Sequence, residues 1–141
     1  MVVFAGRVEE DAKNDLARAR CDLQSAKKII VHDQYIKETD VSAYFYACDA
    51  ILIDYPKCFK VSSGGFTRCL AAGRVPIVPR HGINAEVVCE MGVGLVYDTE
   101  CAKSLSIEMI NLSDYVVNKE RLYSECRKRC LEVYTYFIAE E

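Results

Sequence analysis

Glycine and proline are scarce in this chain, seven and three among 141 residues. Their scarcity excludes collagen-like repeats and low-complexity tracts, both of which are built from those residues. Long apolar runs are missing as well. Stretches such as Ala50 to Ile53 and Val75 to Val78 fall far short of the roughly 20 residues that cross a bilayer, so no transmembrane segment is expected. The apolar stretch behind Met1 is too short for a signal peptide and has no basic leader, which makes the cytoplasm the expected compartment. There is no excess of positive charge: 18 Lys and Arg against 21 Asp and Glu leave a net charge of −3. The molecule as a whole therefore exerts no pull on nucleic acid or an anionic membrane, and any bound anion must be held by local groups.

Histidine is limited to His32 and His81, and no Cys-x-x-Cys pair occurs. A structural zinc site is not expected, and no metal is called for. Several imidazole roles cannot be filled by two residues, and no pair of carboxylates is singled out by spacing. Neither His-Glu-x-x-His, Gly-x-Ser-x-Gly nor Gly-x-Gly-x-x-Gly is found. No catalytic constellation emerges, and the catalytic residues are unassigned.

What the chain does have is 51% hydrophobic and 28% charged residues, the balance of one ordinary compact domain. At this length about 68–70% of the unfolded surface is buried on folding, with no need of crosslinks. Eight cysteines invite a disulfide framework. Cys48, Cys69, Cys89, Cys101 and Cys126 instead sit among apolar neighbours in helix-like segments, where a free thiol acts as a small hydrophobe. Cys126 and Cys130, four apart, fit the apolar stripe of one helix.

The hydrophobic period alternates along the chain. Val2 to Ala5 reads as a buried strand closed by Gly6, and Ala12, Leu16, Ala19 and Leu23 mark a helix from Glu9 to about Ser25. Lys28 to His32 is a second strand. Val41, Tyr44, Phe45 and Cys48 mark a helix beginning near Thr39 or Asp40. Ala50 to Asp54 is a third strand, Gly64 to Ala72 a helix closed by Gly73, and Val75 to Val78 a fourth strand. Asn84 to Met91 is a short helix and Gly94 to Tyr97 a fifth strand. Cys101, Leu105, Met109 and Leu112 line a further helix. Leu122, Cys126, Cys130, Val133 and Phe137 line the last, with Asn118 as its cap.

Continuously apolar strands alternating with helices predict an α/β fold, a Rossmann-like three-layer α/β/α sandwich around a parallel sheet. Ligands of such sheets lie beyond the carboxyl ends of the strands. That rule directs attention to Gly6 to Lys13, Asp33 to Lys37, Tyr55 to Gly65, Pro79 to Asn84 and Asp98 to Cys101. Val61-Ser62-Ser63-Gly64-Gly65-Phe66-Thr67 leads from a loop straight into a helix. It has the makings of an anion cradle: Gly64 and Gly65 permit close approach, the helix start offers free amides, and Ser62, Ser63 and Thr67 add hydroxyls. A plain capped helix start is the competing reading. His81 and Gly82 leave the fourth strand, where the imidazole can face the same crevice and donate to a phosphate or a sugar hydroxyl, with a plain surface turn as the equal alternative. Arg7 and Lys13 follow the first strand and can neutralise a diphosphate, against the default reading of solvated surface charge.

Several segments in sequence order, Ala47 to Pro56, Ser62 to Gly64, Leu70 to Val78, Gly82 to Val88 and Gly94 to Asp98, resemble the C-terminal half of GT-B glycosyltransferases of the large retaining group called group 1. The resemblance covers nearly the whole chain. It implies a Rossmann-like domain, residues 1–141, that binds a nucleotide-diphosphate sugar. The acceptor would sit on a separate domain or subunit, and the chain is expected to be incomplete relative to a full GT-B enzyme. In the resemblance, Ser62 to Gly65 face the donor sugar and phosphates, His81-Gly82 face the donor, and Gly6-Arg7 with Lys13 grip the diphosphate. Lys60 and Arg68 stand where many members carry two glutamates eight residues apart, and a subgroup with Ser-Gly in place of the first glutamate motif is closer. The family sheet has one strand more than can be found here, so five strands in the order 2-1-3-4-5 are expected. The implied activity is hexosyl transfer once an acceptor domain completes the cleft. A catalytically degenerate binding or interaction module is the alternative.

Overall fold

The computed structural model describes residues 1–22, 29–59, 61 and 63–139. Leu23, Ser25, Lys28, Lys60 and Ser62, each of which figures in the expectations above, lie outside the described residues. The elements alternate β1 (Val2–Gly6), α1 (Glu10–Asp22), β2 (Ile29–Asp33), α2 (Glu38–Ala47), β3 (Ala50–Leu52), α3 (Gly64–Ala71), β4 (Val75–Pro79), α4 (Gly82–Met91), β5 (Leu95–Tyr97), α5 (Ala102–Asn118) and α6 (Glu120–Ala139). The fold is α/β and Rossmann-like, with parallel strands and flanking helices, and it comprises two compact units, Met1–Tyr44 and Phe45–Glu141.

In the first unit β1 and β2 pair in parallel, from Val2 opposite Ile29 to Gly6 opposite Asp33. The turn after β1 is tied down by the Val8 amide, which donates to Asp33 Oδ1 at 2.9 Å. His32 Nδ1 and the Tyr44 hydroxyl are 2.8 Å apart, so the second strand and the second helix share a polar contact. The acids Glu10 and Asp11 occupy the first turn of α1, where the helix dipole favours them. Among the described residues of the expected apolar stripe of α1, Leu16 is half-buried, and Ala12 and Ala19 are exposed. A two-stranded sheet offers too little surface to cover the full face of a helix.

In the second unit β3, β4 and β5 form a parallel sheet with β4 in the centre. The five strands are thus divided into sheets of two and three, and the single five-stranded sheet expected from the sequence is not what forms. The adjacencies 2-1 and 3-4-5 of the expected order are present. The three residues of β3 offer fewer ladder hydrogen bonds than the five of β1, a short template for extending a sheet.

All five residues of β4 are buried, despite two prolines. Pro76 also dictates its neighbour. A Cβ at Gly94, just before β5, would strike the Pro76 carbonyl oxygen and come within 2.8 Å of its Cγ, so only glycine allows this approach of the two backbones. Around β4, the core gathers Phe66, Cys69 and Leu70 from α3, Ala85 and Val88 from α4, and Cys130 and Val133 from α6. Helix α4 ends on Gly92, which takes the left-handed conformation at φ 61.

Helix α6 is stitched to the rest of its unit by polar groups as well as apolar ones. Tyr123 donates its hydroxyl to the Asp49 carbonyl at 2.9 Å, and Arg127 Nε donates to the Gly73 carbonyl at 2.9 Å. The buried stripe of α6 is Tyr123, Cys130 and Val133 with half-buried Cys126, whereas Leu122 is 48% exposed. The expected stripe is correct at its centre and one residue off at its start, because the tyrosine hydroxyl has a carbonyl to reach. Met109 of α5 is likewise exposed, and Cys89 of α4 faces out.

Cys48, Cys58, Cys69, Cys89, Cys101, Cys126 and Cys130 are all free thiols. Cys69 and Cys130 are fully buried and donate to the Arg74 and Val93 carbonyls. Burial first of all holds the Cys69 thiol well above its ordinary pKa, the mark of an inert core cysteine. Among the described residues, no helix is long and apolar enough to cross a membrane.

Candidate functional site

The carboxyl ends of β3 and β4 lead to the starts of α3 and α4, and Ser63, Gly64, Gly65, Thr67, His81 and Gly82 of the sequence-chosen residues stand at these two helix starts. Ser63 is the N-cap of α3: it is extended, buried, and its Oγ accepts from the Phe66 amide at 3.0 Å. The Thr67 hydroxyl turns back to the Ser63 carbonyl at 3.4 Å. Both side chains therefore serve the helix start itself. Gly64 and Gly65 follow; a Cβ on Gly64 would meet nothing within 4 Å, and one on Gly65 would meet only the Ser63 and Tyr55 oxygens beyond 3.8 Å. The Cβ positions of both glycines are uncrowded, and amides of a helix start have no carbonyl partners within the helix.

His81 is the N-cap residue of α4, and its side chain makes no capping bond. Its ring bridges two loops instead. Nε2 lies 3.2 Å from the Pro56 carbonyl after β3, and Nδ1 lies 2.9 Å from Thr99 Oγ1 after β5. A carbonyl only accepts, so Nε2 carries the proton and, in the neutral ring, Nδ1 accepts from the threonine hydroxyl. The imidazole expected to donate to a ligand has both nitrogens engaged by protein. Gly82 follows with φ 71, left-handed backbone suited to glycine. In the first turn of α4, Asn84 is buried, and its Oδ1 has no hydrogen-bond partner. A recess bordered by Tyr55, Phe59, His81, Gly82 and Asn84 holds about 10 Å³, room for about one water that could donate to that orphan oxygen.

Further polar ties join the strand ends. Tyr97, buried at the end of β5, donates its hydroxyl to Asp54 Oδ1 at 2.5 Å. Desolvation, and then the hydrogen bond to Asp54, push the Tyr97 hydroxyl pKa up. Lys57 pairs with Glu100 at 2.8 Å, and its hydrogen bond holds the Glu100 carboxyl below the usual range. Arg80 pairs with Asp98 at 2.8 Å, and that hydrogen bond raises the guanidinium pKa. Between the ends of β3 and β5, Asp54, Lys57, Tyr97 and Glu100 border a larger recess of about 600 Å³. The segments picked out from the sequence carry Lys57, Thr99 and Glu100 without singling them out, and they begin one residue after Asp54 and Tyr97. The rule that ligands sit at strand ends selects a loop, while the pairings follow only from loops meeting in space.

Arg7 and Lys13 belong to the first unit. Arg7 follows β1 and is exposed, and Lys13 pairs with Glu10 at 2.7 Å, a contact that raises the lysine pKa. Arg68 is exposed in the last turn of α3.

No protein-family model matches this chain, and no curated protein matches it in sequence. Solved structures do match. The crystal structure of Alr3699/HepE from Anabaena in complex with UDP superposes with a TM-score of 0.66 at 12% identity, over 98% of this chain. What is shared is the fold. The chain spans 39% of the length of that HepE chain, so the likeness concerns one part of a larger molecule.

Proposed function

We propose that this chain binds a nucleotide-diphosphate sugar as the donor-binding domain, residues 1–141, of a GT-B-type glycosyltransferase. The supporting observation is the fold likeness to a UDP-bound structure across 98% of the chain. The order of segments that resembles group 1 enzymes points the same way.

The α3 start is the preferred seat for the diphosphate. Its Gly64 and Gly65 amides have no carbonyl partner within the helix, their Cβ positions are uncrowded, and the positive end of the helix dipole favours an anion. Ser63 and Thr67 act indirectly, by holding that helix start in place. Gly82, at the start of α4, offers a second set of amides. The cations that the resemblance assigns to the diphosphate, Arg7 and Lys13, belong to the first unit, and Lys13 would leave Glu10 at little cost because an exposed pair is worth about 0–1 kcal/mol. With these groups no metal is required to neutralise the diphosphate. His81 shapes the loops around the donor and is not itself a contact. The acceptor, and the water exclusion that sugar transfer needs, would come from a separate domain or subunit. No residue of this chain is assigned the chemical step.

Titrating the ¹⁵N-labelled chain with UDP, GDP, ADP and their sugar conjugates tests the reading. Shifts at Gly64, Gly65 and Gly82 that saturate for one base are expected. Absence of binding at millimolar concentration for every base would overturn it.

A further inference from the structure

The recess of about 600 Å³ between the ends of β3 and β5 takes no part in the donor reading: Ser63, Gly64, Gly65, Thr67, His81 and Gly82 do not line it. Its volume falls within the range of small-molecule sites. Its polar groups are of both signs, and most are already committed. Lys57, the one lining cation among the described residues, pairs with Glu100 at 2.8 Å. The Tyr97 hydroxyl is given to Asp54, and the Thr99 hydroxyl to His81.

What is left along the recess is both acceptors and donors. The second oxygens of Asp54 and Glu100 can accept, and at the start of α5 the Ala102 amide can donate, the Ser104 amide being taken by Cys101 Sγ. A phosphate brings only acceptors and negative charge, and two carboxylates stand against it. An ammonium brings only donors and positive charge, and it meets Lys57 and the positive end of the α5 dipole. A hydroxyl both donates and accepts and carries no charge. The remaining walls, Tyr55, Pro56 and Leu105, suit the C–H face of a ring.

We infer that this recess is a second binding site, for a neutral hydroxyl-rich ligand of the carbohydrate class. Glu100 is fixed there with φ 62, a left-handed backbone that a non-glycine residue rarely adopts. Its carboxylate is retained at a position where glycine would be less strained.

The test is an NMR titration of the full chain with glucose, galactose, N-acetylglucosamine and maltose, with inorganic phosphate and putrescine as contrasts. At least one saccharide should shift Lys57, Thr99, Glu100 and Ala102 with roughly millimolar affinity, and the two contrasts should not. Asp54→Asn and Glu100→Gly should each weaken that saccharide by about three- to tenfold. Glu100→Gly also separates binding from folding, because it removes the backbone strain and should leave thermal stability equal or higher. The proposal is overturned if no saccharide shifts these residues, if phosphate or putrescine alone does so, or if both variants bind like the parent. Binding of saccharide without any nucleotide would sustain this site and sink the donor reading.

Discussion

At the scale of single residues, Tyr97 carries the most consequence per atom. Its ring is buried, and its one hydroxyl ties the end of β5 to Asp54 after β3. A hydrogen bond to a carboxylate contributes about 1.5–3 kcal/mol, so Tyr97→Phe should lower stability in urea by an amount near the lower end, since Asp54 stays solvated. The same group makes stability pH-dependent. Its pKa is raised in the folded state, so its contribution is complete below the ordinary tyrosine value of about 10 and fades as pH climbs beyond it. Alkaline unfolding curves should be flatter for Tyr97→Phe than for the parent. Gly94 illustrates a different single-residue constraint. Gly94→Ala drives a methyl into the Pro76 backbone and should cost at least about 1–3 kcal/mol, read as a lower thermal midpoint.

At the scale of elements, the starts of α3 and α4 are built differently. The start of α3 is a served cap, with Ser63 satisfying the Phe66 amide. Ser63→Ala should cost about 1 kcal/mol, and Ser63→Gly only a few tenths; chemical unfolding of both variants checks the ranking. Helix α4 begins without a side-chain cap, because His81 is turned away to join the loops after β3 and β5. His81→Ala should therefore loosen those loops more than it destabilises the helix. Faster hydrogen exchange at the Phe59 and Cys101 amides, which close turns in the two loops, is the expected result. Unchanged exchange at both would show that the imidazole is not the tie.

At the scale of the whole molecule, burial is uneven. All five residues of β4 are buried, whereas no residue of β1 or β2 is fully so. Opening free energy follows buried apolar contact, so the Ile77 and Val78 amides should exchange near the global limit and those of Val3 and Phe4 well before it. Native-state hydrogen exchange reads this directly, and equal protection in the two strands would contradict it. The period of the sequence foretold the element order and the parallel pairing, and the burial of β4 is what a continuously apolar run covered on both faces requires; its central place was not foretold, since the expected order 2-1-3-4-5 puts β3 in the middle. It also foretold the half-buried face of α2 at Val41, Tyr44 and Phe45, with Cys48 half-buried one residue beyond the helix end. It overstated the cover available to α1 and misplaced the start of the α6 stripe, since exposure depends on what packs opposite.

The same division holds for function. By itself, the sequence determined that the chain is a parallel α/β protein whose ligand-bearing segments are the strand-end loops, because period and turn chemistry are local properties. It also placed Ser63, Gly64 and Gly65 at a helix start. Only the tertiary structure decided that the Ser63, Thr67 and His81 side chains are bonded to their own protein, and that Asp54 meets Tyr97 and Lys57 meets Glu100 across 43 residues each. Pairings at that separation are set by which strands lie side by side, and no local pattern in a chain records that.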